Sequence, residues 1–182
     1  KELFAPWGFN NLLPFKIADL VGADEVTAQN KFFNVLACYG AGLELQDLEG
    51  KPTAHAEARR FAQRNSLRTF FLEQTTDMKY YFFSVAVLIL SRDGSRINRI
   101  VHKEACWTRL QKADRTGRVR HVYYANWEQG TPSARQIERI PLLDLNDPLG
   151  ELLVLMGREP GRDGMTRERT RGRKFAMLLR FP

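Results

Sequence analysis

Two side chains that could act as a general base and a nucleophile, His102 and Cys106, lie four residues apart. That spacing would place the imidazole beside the thiol if the segment were helical, as thiol-based catalysis requires. The pattern around His102 instead predicts the end of a strand, and no Asn or Asp is evidently placed to orient the imidazole. We therefore expect both residues to be structural, and we predict no catalytic residue.

Other catalytic and ligand-binding patterns are also absent from the sequence. The three histidines and two cysteines form no close ligand pair, so no metal site is predicted; they are His55, His102, His121, Cys38 and Cys106. The segment 157–164 lacks the Lys-Ser/Thr end of a phosphate-binding loop, and no cofactor is predicted. The tyrosine pairs at 80–81 and 123–124 resemble strand-nicking nucleophiles, but no His-x-His element accompanies them. We expect Tyr123 and Tyr124 to lie on opposite faces of a strand.

Charge is the most unusual property of the composition. The chain has 28 Lys and Arg against 21 Asp and Glu, a net charge of +7. Residues 1–91 have nine basic and ten acidic residues, whereas residues 92–182 have nineteen and eleven, which gives −1 and +8. The segment 157–174 contains seven basic residues and four glycines and predicts a mobile loop. Its arginines are expected either to be solvated or to contact a polyanion or another subunit: Arg167, Arg169, Arg171 and Arg173.

Composition excludes several classes of protein. An apolar content of 43% with twelve Phe excludes disorder along the whole length. The longest apolar run, 80–90, is far short of the roughly 20 residues of a membrane-spanning helix, so no membrane partner is expected. No signal-peptide pattern opens the sequence, and we expect a cytoplasmic protein with reduced thiols. Because Lys1 is not an initiator Met, we expect a fragment of a longer chain.

The first 82 residues have helical patterns. Pro14 is suited to the first turn of a helix, and a second helix is predicted from about Glu25 with an apolar side, ended by Gly40 and Gly42. A short strand is predicted over 43–49. Thr53 is expected to cap a third helix, and Asn65 or Ser66 a fourth. The residues expected on one side of the fourth helix recur at three- and four-residue intervals: Leu67, Phe71, Gln74, Met78 and Tyr81.

The remainder has strand patterns. Apolar or alternating segments joined by turn residues predict hairpins and a final strand over 83–90, 97–102, 107–112, 118–127, 136–141 and 174–181. Asp147 and Pro148 are expected to begin one short helix, with Leu149, Leu152, Leu153 and Met156 facing inward. Helices followed by antiparallel strands indicate an α+β fold, a single domain in which the strands form an antiparallel meander.

A Trp-Gly-x-Asn-Asn-x-x-Pro element near the start of the chain is followed by a helix pair that ends in Gly-x-Gly-Leu. Segments 102–109, 117–127 and 140–144 come after it. In this order, the segments together resemble the N-terminal, wing region of portal proteins from tailed phages and prophages of the Bacteroidetes. Phe9 departs from the family, which has a polar or acidic residue there. The motif residues are Trp7, Gly8, Asn10, Asn11, Pro14, Gly40, Gly42 and Trp127.

The resemblance implies a structural subunit and not an enzyme. Portal subunits form a dodecameric ring at one capsid vertex, through which double-stranded DNA passes without sequence preference during packaging and ejection. The implied partners are further copies of the chain, a terminase, and capsid and head–tail connector proteins. The implied location is the host bacterial cytoplasm during assembly and then the virion vertex. The basic composition also leaves open a stand-alone nucleic-acid-binding adaptor of a prophage or mobile element.

Overall fold

The computed structural model describes residues 4–47, 50–158 and 172–180, which form five helices and six strands. The helices are α1 Leu13–Ala23, α2 Glu25–Tyr39, α3 Pro52–Arg64, α4 Leu67–Tyr81 and α5 Pro148–Leu155. The strands are β1 Phe83–Leu90, β2 Ile97–Lys103, β3 Thr108–Leu110, β4 His121–Tyr124, β5 Glu138–Pro141 and β6 Lys174–Arg180. The predicted α+β class is confirmed, with the four long helices before the strands.

Polar side chains and prolines define several helix starts as predicted. Pro14 lies in the first turn of α1, and Asp147 caps α5 by accepting from the Gly150 N–H at 2.9 Å. The prediction that Thr53 caps α3 is wrong, because Pro52 begins that helix and needs no N–H partner there. Ser66 precedes α4, but its side chain makes no capping hydrogen bond.

The strands form two antiparallel three-stranded sheets, ordered β2-β1-β6 and β3-β4-β5. Only the second sheet is the predicted meander. In the first, β6 returns from the end of the chain to pair with β1, from Phe83 opposite Arg180 to Ile89 opposite Lys174. The physical reason is that β1 is buried on both faces, so the backbone groups at both of its edges need strand partners.

The core lies on the two sides of β1. Val85 and Val87 pack with Val122 and Ile140 of the second sheet. Leu88 and Leu90 pack with Phe175 of β6, with Leu143 and with Leu152 of α5. Near its start β1 is covered by α4, whose Gln74 amide donates to the Val85 carbonyl at 3.2 Å and accepts from the Ser84 hydroxyl. The central strand therefore connects every layer of the fold.

Several sequence predictions are wrong in detail. Residues 43–47 form no strand, because no strand edge pairs with them after the turn at Gly42; Leu48 and Glu49 lie outside the described residues. The inward face of α4 consists of Phe70, Gln74 and Asp77, and Phe71 is 41% exposed. Leu149 of α5 is exposed instead of inward. Lys174 belongs to β6, so the predicted loop ends before it, and residues 159–171 of that loop lie outside the described residues.

Candidate functional site

Asn11 of the Trp-Gly-x-Asn-Asn element joins the N-terminal segment to the second sheet. Its side-chain oxygen accepts from the Trp7 backbone N–H at 3.0 Å and from Arg109 Nε at 2.5 Å. Its backbone has φ +61°, a left-handed conformation that Asn tolerates better than most residues. The Asn11 carbonyl accepts a further bond from Arg109 Nη2 at 2.8 Å. A single asparagine thus connects two segments that are 98 residues apart.

Arg109 is the centre of this arrangement and is fully buried. Its Nη1 donates to the carbonyls of Cys106 and Thr108, both at 2.8 Å, and its guanidinium lies 5.2 Å from the ring centroid of Trp127. Burial lowers the pKa of Arg109 to about 10, well above neutral pH, so the group is buried as a cation. Neutral oxygens and an aromatic face solvate that cation, which points to a structural role.

The remaining motif residues divide into two groups. Trp7 packs against Phe83 with a centroid distance of 5.0 Å, and the indole N–H of the fully buried Trp127 donates to the Trp107 carbonyl at 2.8 Å. Gly8 and Asn10 shape the turn before α1: Gly8 has φ +73°, and Asn10 Oδ1 accepts from the Leu12 N–H at 3.3 Å. Buried Pro14 follows in α1 itself.

Gly40 and Gly42 lie apart from the Asn11 arrangement, at the end of α2. Gly40 caps the helix with φ +58° and donates to the Leu36 carbonyl at 2.8 Å. Gly42 has φ +88°, and a Cβ there would lie 2.9 Å from the Tyr39 hydroxyl. Both glycines therefore form the turn expected of them, although the segment that follows is irregular.

His102 has the acidic partner that the sequence did not reveal. Asp77 of α4 accepts from His102 Nε2 at 2.7 Å and from the Ala105 backbone N–H at 2.8 Å, and Glu73 lies 3.6 Å from His102 Nδ1. Burial lowers the pKa of His102, but the hydrogen bond to Asp77 and the charges of Asp77, Glu73 and Glu104 outweigh that effect and raise it. The prediction that no Asp orients His102 is wrong, because the partner lies 25 residues away on a helix.

The chemistry of Cys106 differs from that of an activated thiol. Burial and the negative charges of Asp77 and Glu104 raise the pKa of Cys106 to about 11. A nucleophilic cysteine needs the opposite shift, toward the thiolate at neutral pH. Within the described ranges, no group of three or more His, Cys, Asp or Glu side chains is arranged to hold a metal ion.

Four exposed arginines from three segments lie in or beside the tight turn between β1 and β2; we call this group the basic turn, and it consists of Arg92, Arg96, Arg158 and Arg173. Arg173 is the one predicted contact residue that the structure describes, since Arg167, Arg169 and Arg171 lie outside the described residues. The Arg173 carbonyl accepts from the Leu90 N–H at 2.7 Å, which fixes the start of β6 beside the turn. The sequence signal for Arg92 and Arg96 is a predicted hairpin turn at 92–95, which Arg92 begins and Arg96 follows.

One side of α2 exposes large apolar side chains. Val26, Phe32, Phe33 and Leu36 are 67%, 63%, 69% and 43% exposed, and at 3.6 residues per turn they fall within about 120° of the helix circumference. We call these four residues the α2 apolar face. Val35, on another side of the helix, is buried against the rest of the fold. The predicted apolar side of α2 therefore exists but faces outward.

Comparisons with known proteins give no identification: no family model and no curated protein matches this chain. In the part of the chain that the structure describes, none of the helices is both long and apolar enough to span a membrane.

Proposed function

We propose that this chain is a structural subunit of a phage-type portal ring that conducts double-stranded DNA. The observation that carries the proposal is the α2 apolar face. The resemblance to portal proteins supports it further, because three of its motif residues belong to one arrangement: Asn11 and Trp127 contact Arg109, and Trp7 is hydrogen-bonded to Asn11.

The α2 apolar face has the energetics of an assembly surface. Full burial of one large apolar side chain contributes about 1.5–3 kcal/mol, so covering four that are roughly half to two-thirds exposed contributes roughly 4–8 kcal/mol. Contiguous exposed apolar patches mark sites of association. In a ring, the α2 apolar face would contact a neighbouring subunit.

The test of the proposal is the mass of the protein encoded by the complete reading frame that contains this chain. Light scattering and negative-stain microscopy are expected to find rings of about a dozen subunits. Phe33→Asn is expected to lower the association constant of the subunit contact at least tenfold, since a loss of about 1.4 kcal/mol changes an association constant tenfold.

Phe82→Asn is the matched control. Phe82 is 72% exposed, similar to Phe33, but lies outside α2 and has φ +64°, which Asn accepts readily. Rings from the control and not from Phe33→Asn would support the proposal. A monomer from the complete wild-type protein at high concentration would refute it, and equal loss in both variants would remove the role given to α2.

The basic turn favours a second candidate function, a nucleic-acid-binding adaptor. An adaptor would bind duplex DNA tightly as a monomer, with a steep dependence on salt. A ring subunit would assemble first and bind DNA weakly, because tight contacts would hold DNA that has to move. Light scattering with and without duplex DNA separates the two functions.

A further inference from the structure

We propose that the basic turn is a binding site for the phosphate backbone of duplex DNA. The inference deepens the proposed function, because it assigns the DNA contact of that function to particular residues. It rests only on residues that the structure describes: Arg92, Arg96, Arg158 and Arg173.

Hydrogen bonds place the four arginines in the turn or beside it. The Ser91 N–H donates to the Arg96 carbonyl at 2.8 Å and closes the turn that includes Arg92. Arg158, just after α5, donates from Nη2 to the Ser95 carbonyl at 3.2 Å. Arg173, just before β6, accepts from the Leu90 N–H at 2.7 Å. Arg92 and Arg96 therefore belong to the turn itself. Arg158 is hydrogen-bonded to a residue of the turn, and Arg173 to the residue just before it.

Asp93, which lies in the same turn, already accepts hydrogen bonds from neighbouring serines. Asp93 accepts from the Ser91 and Ser95 hydroxyls and from the Ser95 backbone N–H. The hydrogen bond from the Ser91 hydroxyl, and after it that from Ser95, hold the pKa of Asp93 below its usual range. The ionised carboxylate therefore stabilises the turn. Among the described residues no acid forms an ion pair with any of the four guanidinium groups. The basic turn and Asp93 together have a net charge of +3.

The chemistry of the site selects phosphate contact without base reading. Guanidinium groups bind phosphate oxygens in a bidentate manner, and four exposed arginines in and beside one turn attract a polyanion. Sequence reading requires a helix or ribbon that holds side chains against base edges. Here the β1–β2 turn contributes two arginines, and two other segments contribute one each, so the expected binding depends on charge and not on sequence.

Fluorescence anisotropy of duplex DNA over a series of KCl concentrations tests the proposal on the chain itself. Each phosphate contact contributes about 0.9 to the slope of log affinity against log salt. Replacing all four arginines of the basic turn by Gln is expected to lower that slope by about 3, and replacing them by Lys is expected to retain most of it. Two duplexes of unrelated sequence are expected to give the same slope.

The matched control replaces four exposed arginines elsewhere by Gln, which changes net charge equally; these are Arg59, Arg60, Arg115 and Arg135. A fall in slope of less than about 1 in the control, beside a fall of about 3 in the basic-turn variant, would support the site. Equal falls in slope in the two variants would mean that net charge alone explains the effect, and would overturn the proposal. An unchanged slope in the basic-turn variant would overturn it as well. Circular dichroism verifies that both variants are folded.

The outcome is independent of ring formation. If the complete protein forms no ring but the basic-turn variant loses DNA binding, the binding site stands and the portal proposal fails. If rings form and the variant binds DNA as the wild type does, the portal proposal stands and this site fails.

Discussion

Replacement of Asn11 by Gly should release the N-terminal segment from the second sheet. The substitution keeps a residue that tolerates φ +61° and removes the side chain, including the oxygen that accepts both hydrogen bonds. Two hydrogen bonds are lost, one from the Trp7 N–H and one from the Arg109 cation. A neutral bond contributes about 0.5–1.5 kcal/mol and a bond to a charged group about 1.5–3 kcal/mol. We therefore expect Asn11→Gly to lower the free energy of unfolding by about 2–4 kcal/mol.

Urea unfolding followed by tryptophan fluorescence measures that loss, and amide exchange at Trp7 reports the release of the segment directly. Asn11→Asp is the control, because it keeps an acceptor of the same shape and gives Arg109 an anionic partner; its stability should equal or exceed that of the wild type. In a double-mutant cycle with Arg109→Met, a coupling energy of about 1.5–3 kcal/mol is expected.

Two results would refute this reasoning. A loss below about 0.5 kcal/mol for Asn11→Gly would mean that water replaces the side-chain oxygen at no cost. A loss for Asn11→Asp as large as for Asn11→Gly would mean that the acceptor for Arg109 does not determine stability, since Asp keeps that acceptor.

Three further substitutions test the supporting elements. Because the folded-state pKa of His102 is raised, its protonation stabilises the fold below the unfolded value of about 6.5, and this contribution disappears as pH rises through the folded value. Thermal melts of wild type and His102→Gln should therefore differ most at acidic pH, and a difference that grows toward alkaline pH would contradict the assignment. Gly42→Ala should cost about 1–2 kcal/mol in urea unfolding, since it places a Cβ at φ +88° and 2.9 Å from the Tyr39 hydroxyl; an unchanged midpoint would show that the turn relaxes freely. Asp147→Ala should cost about 1 kcal/mol by loss of the α5 cap, whereas Asp147→Ser should retain most of it.

The local elements follow closely from the sequence. β1 has the predicted bounds, 83–90, because a short apolar and β-branched run between turn residues has few alternatives. The turn at 92–95 and the start of α5 at Asp147-Pro148 likewise depend on neighbours in sequence. The prediction that Tyr123 and Tyr124 lie on opposite faces is confirmed, with Tyr123 buried and Tyr124 partly exposed.

Contacts over long separations depend on the tertiary structure. No periodicity indicates that Arg109 is buried against Asn11, that Asp77 orients His102, or that Arg158 joins the turn of Arg92. Each is a polar contact made possible by the burial of other residues, and one polar side chain leaves no repeating pattern in the sequence. The outward direction of the α2 apolar face has the same origin, since an apolar stripe shows that a face needs cover but not what provides it.

The sequence alone determined the α+β class, the basic second half and most element positions, because these depend on composition and on near neighbours. The tertiary structure decided which charges and which apolar side chains meet, because that depends on how the elements pack.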